Sequence, residues 1–498
     1  MSNGKQAALT EAYFGSRVAE DELESLRGYF VETDQWRRLL RGSVDIVFGA
    51  KGAGKSALYS LLVGKQEELR LGRRTLFLPA ENPRGTPAFR DIVPDPPASE
   101  EEFRGLWKLY FLALIANYLR HHLQETKTGN AKAASVISAL VDNGLLTPNV
   151  NLLARLRAIL TYIRRHAPVF EGAIVDPNTG LKLTGKITLN EPSTEQRKEG
   201  FLSVNDLLTL INGALLELNI KIWLVLDRLD VAFSDSPNLE GNALRSLFRT
   251  YLDMLNLSNV SIKIFLRDDI WNKIVAGGFR EASHVTRSLV ISWNNQSLLN
   301  LVVRRLVHNQ DICDLYGIKK DAVLEDANLQ KDFFYRVFPA QVDIGPKQPS
   351  TFDWMASRTA DGSKRTAPRE LIHLLIEARD EQLKSFELGE PDPPGETLFS
   401  RSTIPQALPA VSKARYEQTL CAEYPALKPF LTRLERGKAQ QTLESLSETW
   451  KCSLEKTFEI AEQLSEAGFF ERRKTKDSTV YWIPFLYRDV LSLTQGSA

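Results

Sequence analysis

The chain has few cysteines, no surplus charge of either sign and no long apolar run, and each shortage narrows its class. Three isolated cysteines in 498 residues indicate neither a disulfide framework nor a zinc site, and they favour a reducing, cytoplasmic location. Lysines and arginines number 63 against 62 aspartates and glutamates, which argues against a globally basic nucleic-acid binder but leaves a local basic patch open. The longest apolar stretch, Leu106 to Leu119, is too short to span a bilayer, so no membrane partner is expected.

The other motifs of the chain are interpreted relative to one stretch of the sequence. Val44 to Ser56 joins an apolar run to a glycine-rich segment, and the helical run Ala57 to Val63 follows it. The residues that satisfy the phosphate-loop pattern Gly-x4-Gly-Lys-[Ser/Thr] are Gly49, Gly54, Lys55 and Ser56. Because the flanking strand and helix are those the motif requires, a nucleotide site is favoured over a simple glycine-rich turn.

Phosphate binding explains the residue types in this loop. Glycines let the backbone turn several N–H groups toward a phosphate, and the following helix N-terminus adds partial positive charge. We expect Lys55 to reach the β- and γ-phosphates and Ser56 to bind Mg²⁺ through its hydroxyl. The residues predicted to bind the nucleotide are Gly49, Ala50, Lys51, Gly52, Ala53, Gly54, Lys55, Ser56 and Ala57.

A second pattern ends in carboxylates. Ile220 to Leu226 is a near-continuous apolar strand, and it would present Asp227 at its carboxyl end to share Mg²⁺ with Ser56. The structural alternative for Asp227 is a helix cap. Arg228 stands where many P-loop ATPases have a glutamate that orients the attacking water. Since a cation cannot accept a proton, Asp230 or a group from another segment must do so if hydrolysis is efficient, and slow turnover is otherwise expected.

Further apolar strands alternate with helices. The strand that begins at Val260 ends in Arg267, which we predict to sense the γ-phosphate; an ion pair with Asp268 or Asp269 is the alternative. Other strands are predicted at Arg73 to Pro79 and within His284 to Trp293. The predicted fold class is therefore α/β, a P-loop NTPase core whose parallel sheet has helices on both faces.

The combined pattern resembles bacterial P-loop ATPases of the STAND and KAP-like group, within the RecA/AAA-like class. The likeness covers about residues 10 to 385. It rests on a Tyr-Phe-x-x-Thr-x-x-Trp segment from Tyr29 to Trp36 and on the loop from Gly49 to Ala57. The acid strand of that group ends in Asp-[Asp/Glu]-x-Asp, which this chain matches only at the first and last positions, Asp227 and Asp230. The resemblance implies ATP as the nucleotide, and proteins of this kind frequently serve in bacterial anti-phage defence. The aromatics of the first segment either cover the base or fill the core, and the core is favoured for Phe30 and Trp36 taken singly.

A later helix fits the same resemblance. Pro368 stands at a plausible helix start and Arg369 in its first turn. In related ATPases a Pro-Arg-[Glu/Asp] helix belongs to a helical lid whose arginine touches the nucleotide, so Arg369 is a further predicted contact. A cation at a helix N-terminus needs an anionic partner, which either the nucleotide or Glu370 supplies.

The C-terminal segment is predicted to be a winged helix. Its helices are predicted at Ala410 to Leu420, Ala439 to Trp450 and Leu454 to Gly468, with a hairpin from Phe469 to Pro484. The third helix is acidic, which would repel DNA phosphates, at Glu455, Glu459, Glu462 and Glu466. The hairpin tip, with Arg472, Arg473, Lys474 and Lys476, could still touch a nucleic-acid backbone, but a protein-docking winged helix is favoured.

These segments predict four domains and two candidate functions. The domains are an N-terminal helical segment packing on the core (1–40), the NTPase core (41–300) with a helical and hairpin insertion at about 98–200, a helical lid (301–385) and the winged helix (403–498). The favoured function is an ATP-driven switch that forms a homo-oligomer and regulates a separate effector protein; the alternative is a DNA-dependent motor or loader. Arginine-finger candidates for action on a neighbouring subunit are Arg245, Arg249, Arg280 and Arg287.

Overall fold

The structure is a computed structural model, and it describes residues 2–16, 22–64, 74–80, 99–146, 157–164, 187–189, 191–198, 200–229, 237–474 and 479–497. The chain divides into two compact units. The sheet unit comprises Thr33–Gly49 and Lys55–Ile291, and the helical unit comprises Met1–Glu32, Ala50–Gly54 and Ser292–Ala498. The predicted limits of the four domains stay predictions.

The sheet unit is built on five parallel strands. The strands of this unit are Ile46–Gly49 (β1), Arg74–Pro79 (β2), Ile187–Thr188 (β3), Leu202–Ser203 (β4), Ile220–Leu226 (β5), Val260–Arg267 (β6) and Ser288–Val290 (β7). The large sheet has the order β2-β5-β6-β1-β7, and every pairing in it is parallel. This confirms the predicted α/β class with its parallel P-loop NTPase sheet.

The central strands are apolar on both faces because helices cover both faces of a parallel sheet. All residues of β1 are buried, and in β5 only Lys221 is not. The helices of this unit are Asp34–Leu40, Lys55–Gly64, Glu100–Thr126, Ala131–Asp142, Thr194–Lys198, Val204–Glu217, Pro237–Met254 and Asp268–Ala276. The longest helix begins where the sequence indicates, since Ser99 and Glu102 form a reciprocal capping box.

The predicted insertion is described only in part. Its hairpin falls mostly on residues 172–186, which lie outside the described residues. The last piece, β3, pairs in parallel with β4. The partner of β3 within the described residues is therefore a later strand of the chain.

The helical unit joins both ends of the chain. Its helices are Ser2–Thr10, Leu23–Tyr29, Asn295–Val307, Gln310–Tyr316, Lys320–Glu325, Ala327–Val337, Thr351–Thr359, Pro368–Glu387, Thr403–Arg415, Lys428–Thr432, Leu443–Trp450 and Leu454–Glu466. The first helix contacts the helix that begins at Pro368, because Arg379 donates to the carbonyl oxygens of Leu9 and Thr10 at 2.8 and 2.7 Å. Residues 2–10 thus contact the predicted lid helix.

The C-terminal segment has the helix and strand order of a winged helix. Its strands are Lys438–Gln441 (β8), Glu471–Lys474 (β9), Thr479–Trp482 (β10) and Thr494–Ser497 (β11), in the sheet order β11-β8-β10-β9. The helix predicted from Ala439 was wrong at its start: β8 pairs with β10, and the helix begins only after Thr442, whose hydroxyl accepts a hydrogen bond from the Ser445 N–H.

The helix predicted from Ala410 to Leu420 was wrong at both ends. It begins at Thr403 with Pro409 inside it, and at Arg415 it passes into a π-helix, Tyr416–Cys421. A proline in a helix removes one backbone hydrogen bond, which made a boundary there the natural expectation. In the described ranges, none of the helices has the length and apolar character needed to cross a membrane.

Candidate functional site

The phosphate loop joins β1 to the helix Lys55–Gly64. Gly49 ends the strand, and Lys55 is the first residue of the helix, where backbone N–H groups have no partner within the helix. The Lys55 ammonium donates a 2.7 Å hydrogen bond to the carbonyl oxygen of Gly49. Ser56 and Ala57 follow in the first turn and are half-buried. The helix N-terminus and this lysine make the end of β1 electropositive.

Two glycines give the loop its shape. Gly52 and Gly54 have φ angles of +81° and +101°, which side chains other than glycine rarely adopt. A Cβ atom added at Gly54 would meet no atom of the described residues within 4 Å. The Ala53 N–H donates to the Ala50 carbonyl oxygen at 3.2 Å and closes the turn between them. The loop therefore has the open backbone cradle that a phosphate group fits.

Three predicted site residues lie at one edge of the sheet. Gly49 ends β1, Arg267 ends β6 at the register position of Gly49, and Asp227 directly follows β5. Since the strands are parallel, their carboxyl ends share this edge, which is where α/β proteins bind ligands. Asp227 is buried, with 4% of its surface exposed. The structure thus places Asp227 and Gly49, the first residue of the loop motif, at the same edge, and their roles stay predictions.

The donors present fit a magnesium ion. The Ser56 hydroxyl and the Asp227 carboxylate are hard oxygen ligands of the kind that Mg²⁺ takes, and in nucleotide sites phosphate oxygens and water complete its shell. Asp230, predicted as a catalytic acid, lies outside the described residues. Arg228 has a φ of +57°, an uncommon conformation for a residue with a side chain. Its backbone turns the chain immediately after the acid strand.

Arg267 forms an ion pair, which the sequence left open as the alternative to sensing the γ-phosphate. Its guanidinium donates to both carboxylate oxygens of Asp269, at 2.9 and 2.8 Å. Burial opposes ionisation of Asp269, but the hydrogen bonds and charge of Arg267 outweigh it, so the pKa of Asp269 lies below its ordinary value. Arg267 is therefore an ion-pair partner in this structure. Its action as a γ-phosphate sensor stays a prediction, and it would require this pair to open.

In the helical unit, the first turn of the predicted lid helix packs on the loop residue Gly52. A Cβ atom built at Gly52 would lie 3.1 Å from the Cβ of Arg369, 3.4 Å from the Cβ of Ala367 and 3.4 Å from Oε2 of Glu370. Arg369 therefore lies beside the loop segment Ala50–Gly54. Glu370 pairs with Arg415 at 2.9 Å. The anion proposed to balance Arg369 from within its own helix is thus held by a different arginine.

Sequence reasoning missed two side chains that hold this loop. The half-buried Trp293 donates from its indole nitrogen to the Ala53 carbonyl oxygen at 2.9 Å. Lys51 forms an ion pair with Glu423. Neither partner has a local sequence signal, because each is distant along the chain from the loop. A glycine-rich loop of known type predicts its ligand but not the protein groups that support it.

The aromatic segment before the loop contributes to the core. Tyr29 and Trp36 are 1% and 5% exposed, and the Tyr29 hydroxyl donates to Glu22 at 2.8 Å. Arg305 stacks over the Tyr29 ring at 4.1 Å and pairs with Glu22. The burial of Trp36 matches the core interpretation that the sequence favoured for it, whereas Phe30 is only half-buried.

The four arginine-finger candidates differ in their contacts. Arg245 and Arg249 both pair with Glu100, and Arg287 pairs with Asp45. Arg280 is exposed, and no ion-pair partner of it lies among the described residues. Arg280 is therefore the candidate whose guanidinium has no competing carboxylate in the described part of its own chain.

Two cations of the predicted wing, the hairpin from Phe469 to Pro484, are paired within the chain, while Lys474 is exposed and Lys476 lies outside the described residues. Arg472 pairs with Glu462 of the acidic helix, and Arg473 binds both oxygens of Glu471 at 2.7 and 2.8 Å. A DNA phosphate would have to displace these carboxylates first. The contacts therefore give no specific support to nucleic-acid binding through the wing.

The comparisons with known proteins found similarity among solved structures. No protein-family model and no curated protein matches the chain. The solved structure of the ORC2 protein of Aeropyrum pernix, in ADPNP and ADP complexes, is similar over 97% of this chain and 96% of that chain, with 14% identity and a TM-score of 0.41. The P-loop NTPase fold stands on the sheet and loop described above, and the narrower STAND and KAP-like resemblance stays a prediction.

Proposed function

We propose that this protein is a P-loop ATPase that binds ATP with Mg²⁺ and works as a nucleotide-driven switch. The observation that carries the proposal is the loop after β1, where Gly52 and Gly54 adopt left-handed backbone angles and Lys55 begins a helix. That arrangement directs N–H groups and one ammonium toward an anion with several oxygens. A nucleotide triphosphate is the ligand that the motif and this geometry fit together.

Hydrolysis in the proposed cycle is slow. Asp227 would hold Mg²⁺ with Ser56, but the position after it is Arg228, which cannot orient water as a base. Positioning and charge stabilisation by Lys55, Mg²⁺ and Arg267 would still lower the barrier. A long-lived ATP state suits a switch better than a motor, since a switch needs time to act on its partner.

The proposed partners are a second copy of this chain and a separate effector protein. The sequence resemblance implies that the switch acts on a separate chain. The sequence resemblance supports a setting in bacterial antiviral defence. A DNA-driven motor is not proposed, because Arg472 and Arg473 of the predicted wing are paired with carboxylates of their own chain and the preceding helix is acidic.

Binding of a fluorescent ATP analogue with Mg²⁺ tests the site. We expect saturable binding by the wild type and a loss of about a hundredfold or more in Lys55→Ala, because the phosphates lose their ammonium partner. Lys474→Ala, which removes an exposed lysine of β9, is the matched control and should bind like the wild type. Near-normal affinity in Lys55→Ala would contradict the site assignment.

A further inference from the structure

We propose that Lys51 is the loop residue that distinguishes a triphosphate from a diphosphate, and that Glu423 competes with the terminal phosphate for it. The inference rests on the proposed nucleotide site and adds a regulator to it. Its basis is the ion pair between the Lys51 ammonium and Oε1 of Glu423. Glu423 belongs to the C-terminal segment, which follows the predicted lid.

The two lysines of the loop are held in different ways. Lys55 donates to a neutral acceptor, the Gly49 carbonyl oxygen, which forms part of the same loop. Lys51 is held by a carboxylate from outside the loop, and its side chain is 30% exposed against 19% for Glu423. An ammonium paired with a carboxylate at a phosphate site has two competing anions once a nucleotide binds. The carboxylate also repels a bound phosphate at short range.

Glu423 lies just after a continuous helical segment. It follows the helix Thr403–Arg415 and the π-helix Tyr416–Cys421, a helix type often found at functional sites. Arg415 ends that helix, and 9% of its side-chain surface is exposed. It donates to Glu370 at 2.9 Å and to the Tyr487 hydroxyl at 3.3 Å. These contacts tie the segment to the first turn of the predicted lid helix.

The contacts between Arg415 and Glu370 also reach the loop, at Gly52. Oε1 of Glu370 accepts from Arg415, while Oε2 would lie 3.4 Å from a Cβ atom at Gly52. The loop therefore meets the C-terminal segment directly at Lys51 and, through Glu370 and Arg415, at Gly52. A change in the partner of Lys51 can then be transmitted to Glu423 while Arg415 keeps the helix in place.

The γ-phosphate of ATP is what changes the ion-pair partner of Lys51. It adds negative charge at the loop, so in the ATP state Lys51 turns from Glu423 to the phosphate, and Glu423 is repelled. ADP lacks that group, and the Lys51–Glu423 pair persists. Residues 416–423 are consequently anchored to the loop with ADP and released with ATP. An effector or a second copy of the chain would bind one of these two states in preference to the other.

Affinities for ATP and ADP test the inference by a double-mutant cycle in calorimetry. We expect Glu423→Gln to tighten ATP binding about tenfold and ADP binding less than twofold, because the competing charge is gone. Lys51→Met should weaken ATP binding about tenfold more than ADP binding. In the Lys51→Met background, Glu423→Gln should have no further effect. Glu417→Gln, an exposed glutamate of the same π-helix, is the matched control.

Hydrogen exchange of residues 416–423 gives a second readout. Exchange should be faster with a non-hydrolysable ATP analogue than with ADP in the wild type, and equal with both in Lys51→Met. An unchanged ratio of ATP to ADP affinity across the cycle would overturn the inference. Failure of the nucleotide-site assignment would look different. In that case the wild type would bind neither nucleotide, or Lys55→Ala would bind nucleotide as tightly as the wild type.

Discussion

The backbone conformation of the phosphate loop requires glycine at position 54, and this requirement can be tested. Gly54 has a φ of +101°, and a Cβ there would meet no described residue within 4 Å, so conformation and not crowding by these residues requires glycine. We expect Gly54→Ala to lower the free energy of unfolding by about 1–2 kcal/mol and to weaken nucleotide binding about tenfold, measured by denaturant unfolding and ligand titration. Gly129→Ala also adds a methyl group in open space but without a positive φ, and it should change neither quantity.

Arg280 carries a prediction about action between subunits. Its guanidinium is exposed and has no ion-pair partner among the described residues, in contrast to Arg245, Arg249 and Arg287. If it stabilises the transferred phosphate of a neighbouring copy, Arg280→Ala should lose at least tenfold in turnover with unchanged ATP affinity. Mixing it with Asp227→Asn should restore part of the turnover, because each variant supplies what the other lacks. Failure of the mixture to regain activity would contradict action in trans.

At the scale of elements, a buried ion pair joins two strands of the sheet. Lys263 of β6 donates to Asp45, just before β1, at 2.6 Å, and both side chains are almost fully buried. We expect Asp45→Asn to lower the free energy of unfolding by about 3–5 kcal/mol, since it leaves a buried charge without its partner. The double variant Asp45→Asn/Lys263→Met should recover most of that loss in chemical denaturation. Equal losses in the single and double variants would show that the charge is not the cause.

The same lysine predicts a pH dependence of stability. Burial lowers the pKa of Lys263 from 10.5 to about 8, although Asp45 partly opposes the shift. Between these values the unfolded chain binds a proton that the folded chain lacks, so this group makes the free energy of unfolding rise with pH from about 8 to 10.5. Below pH 8 both states are protonated and the contribution is constant. Subtracting the profile of Lys263→Met isolates the effect, and a flat difference across this range would refute it.

The wing is the element on which the two candidate functions differ. Arg472 and Arg473 are paired with Glu462 and Glu471, so their charge is already balanced. Alanine at Arg472, Arg473 and Lys474 should leave ATP turnover within about twofold of the wild type, with or without duplex DNA. A large loss of DNA-stimulated turnover in this variant would instead favour the motor.

For the whole molecule, sequence patterns predicted the elements better than their arrangement. The apolar runs that became β1, β5 and β6 were recognisable because buried parallel strands are apolar on both faces. Their order in the sheet was not predicted, since it depends on pairings between distant residues. The phosphate loop was recognisable for a local reason, its glycines and lysine at fixed spacing.

The contacts that support the site could not be predicted from the sequence, because they also join residues that are distant along the chain. Lys51 meets Glu423, and Ala53 meets Trp293, only through the folded chain. The choice of Arg267 between a phosphate and Asp269 depends on side-chain geometry that spacing does not encode. In the strand β8, pairing with β10 and the cap at Thr442 decided between strand and helix for residues whose sequence is compatible with both.

The central claim is that the loop after β1 and Asp227 together form an ATPase site that drives a switch. The most direct measurement is ATP turnover by the purified wild type and Asp227→Asn, with and without duplex DNA, while light scattering follows the assembly state. We predict slow turnover in the wild type that DNA does not change, a loss of at least tenfold in Asp227→Asn because Mg²⁺ loses its carboxylate, and an assembly state that depends on ATP. Undiminished turnover in Asp227→Asn, or a severalfold increase with DNA, would contradict the account.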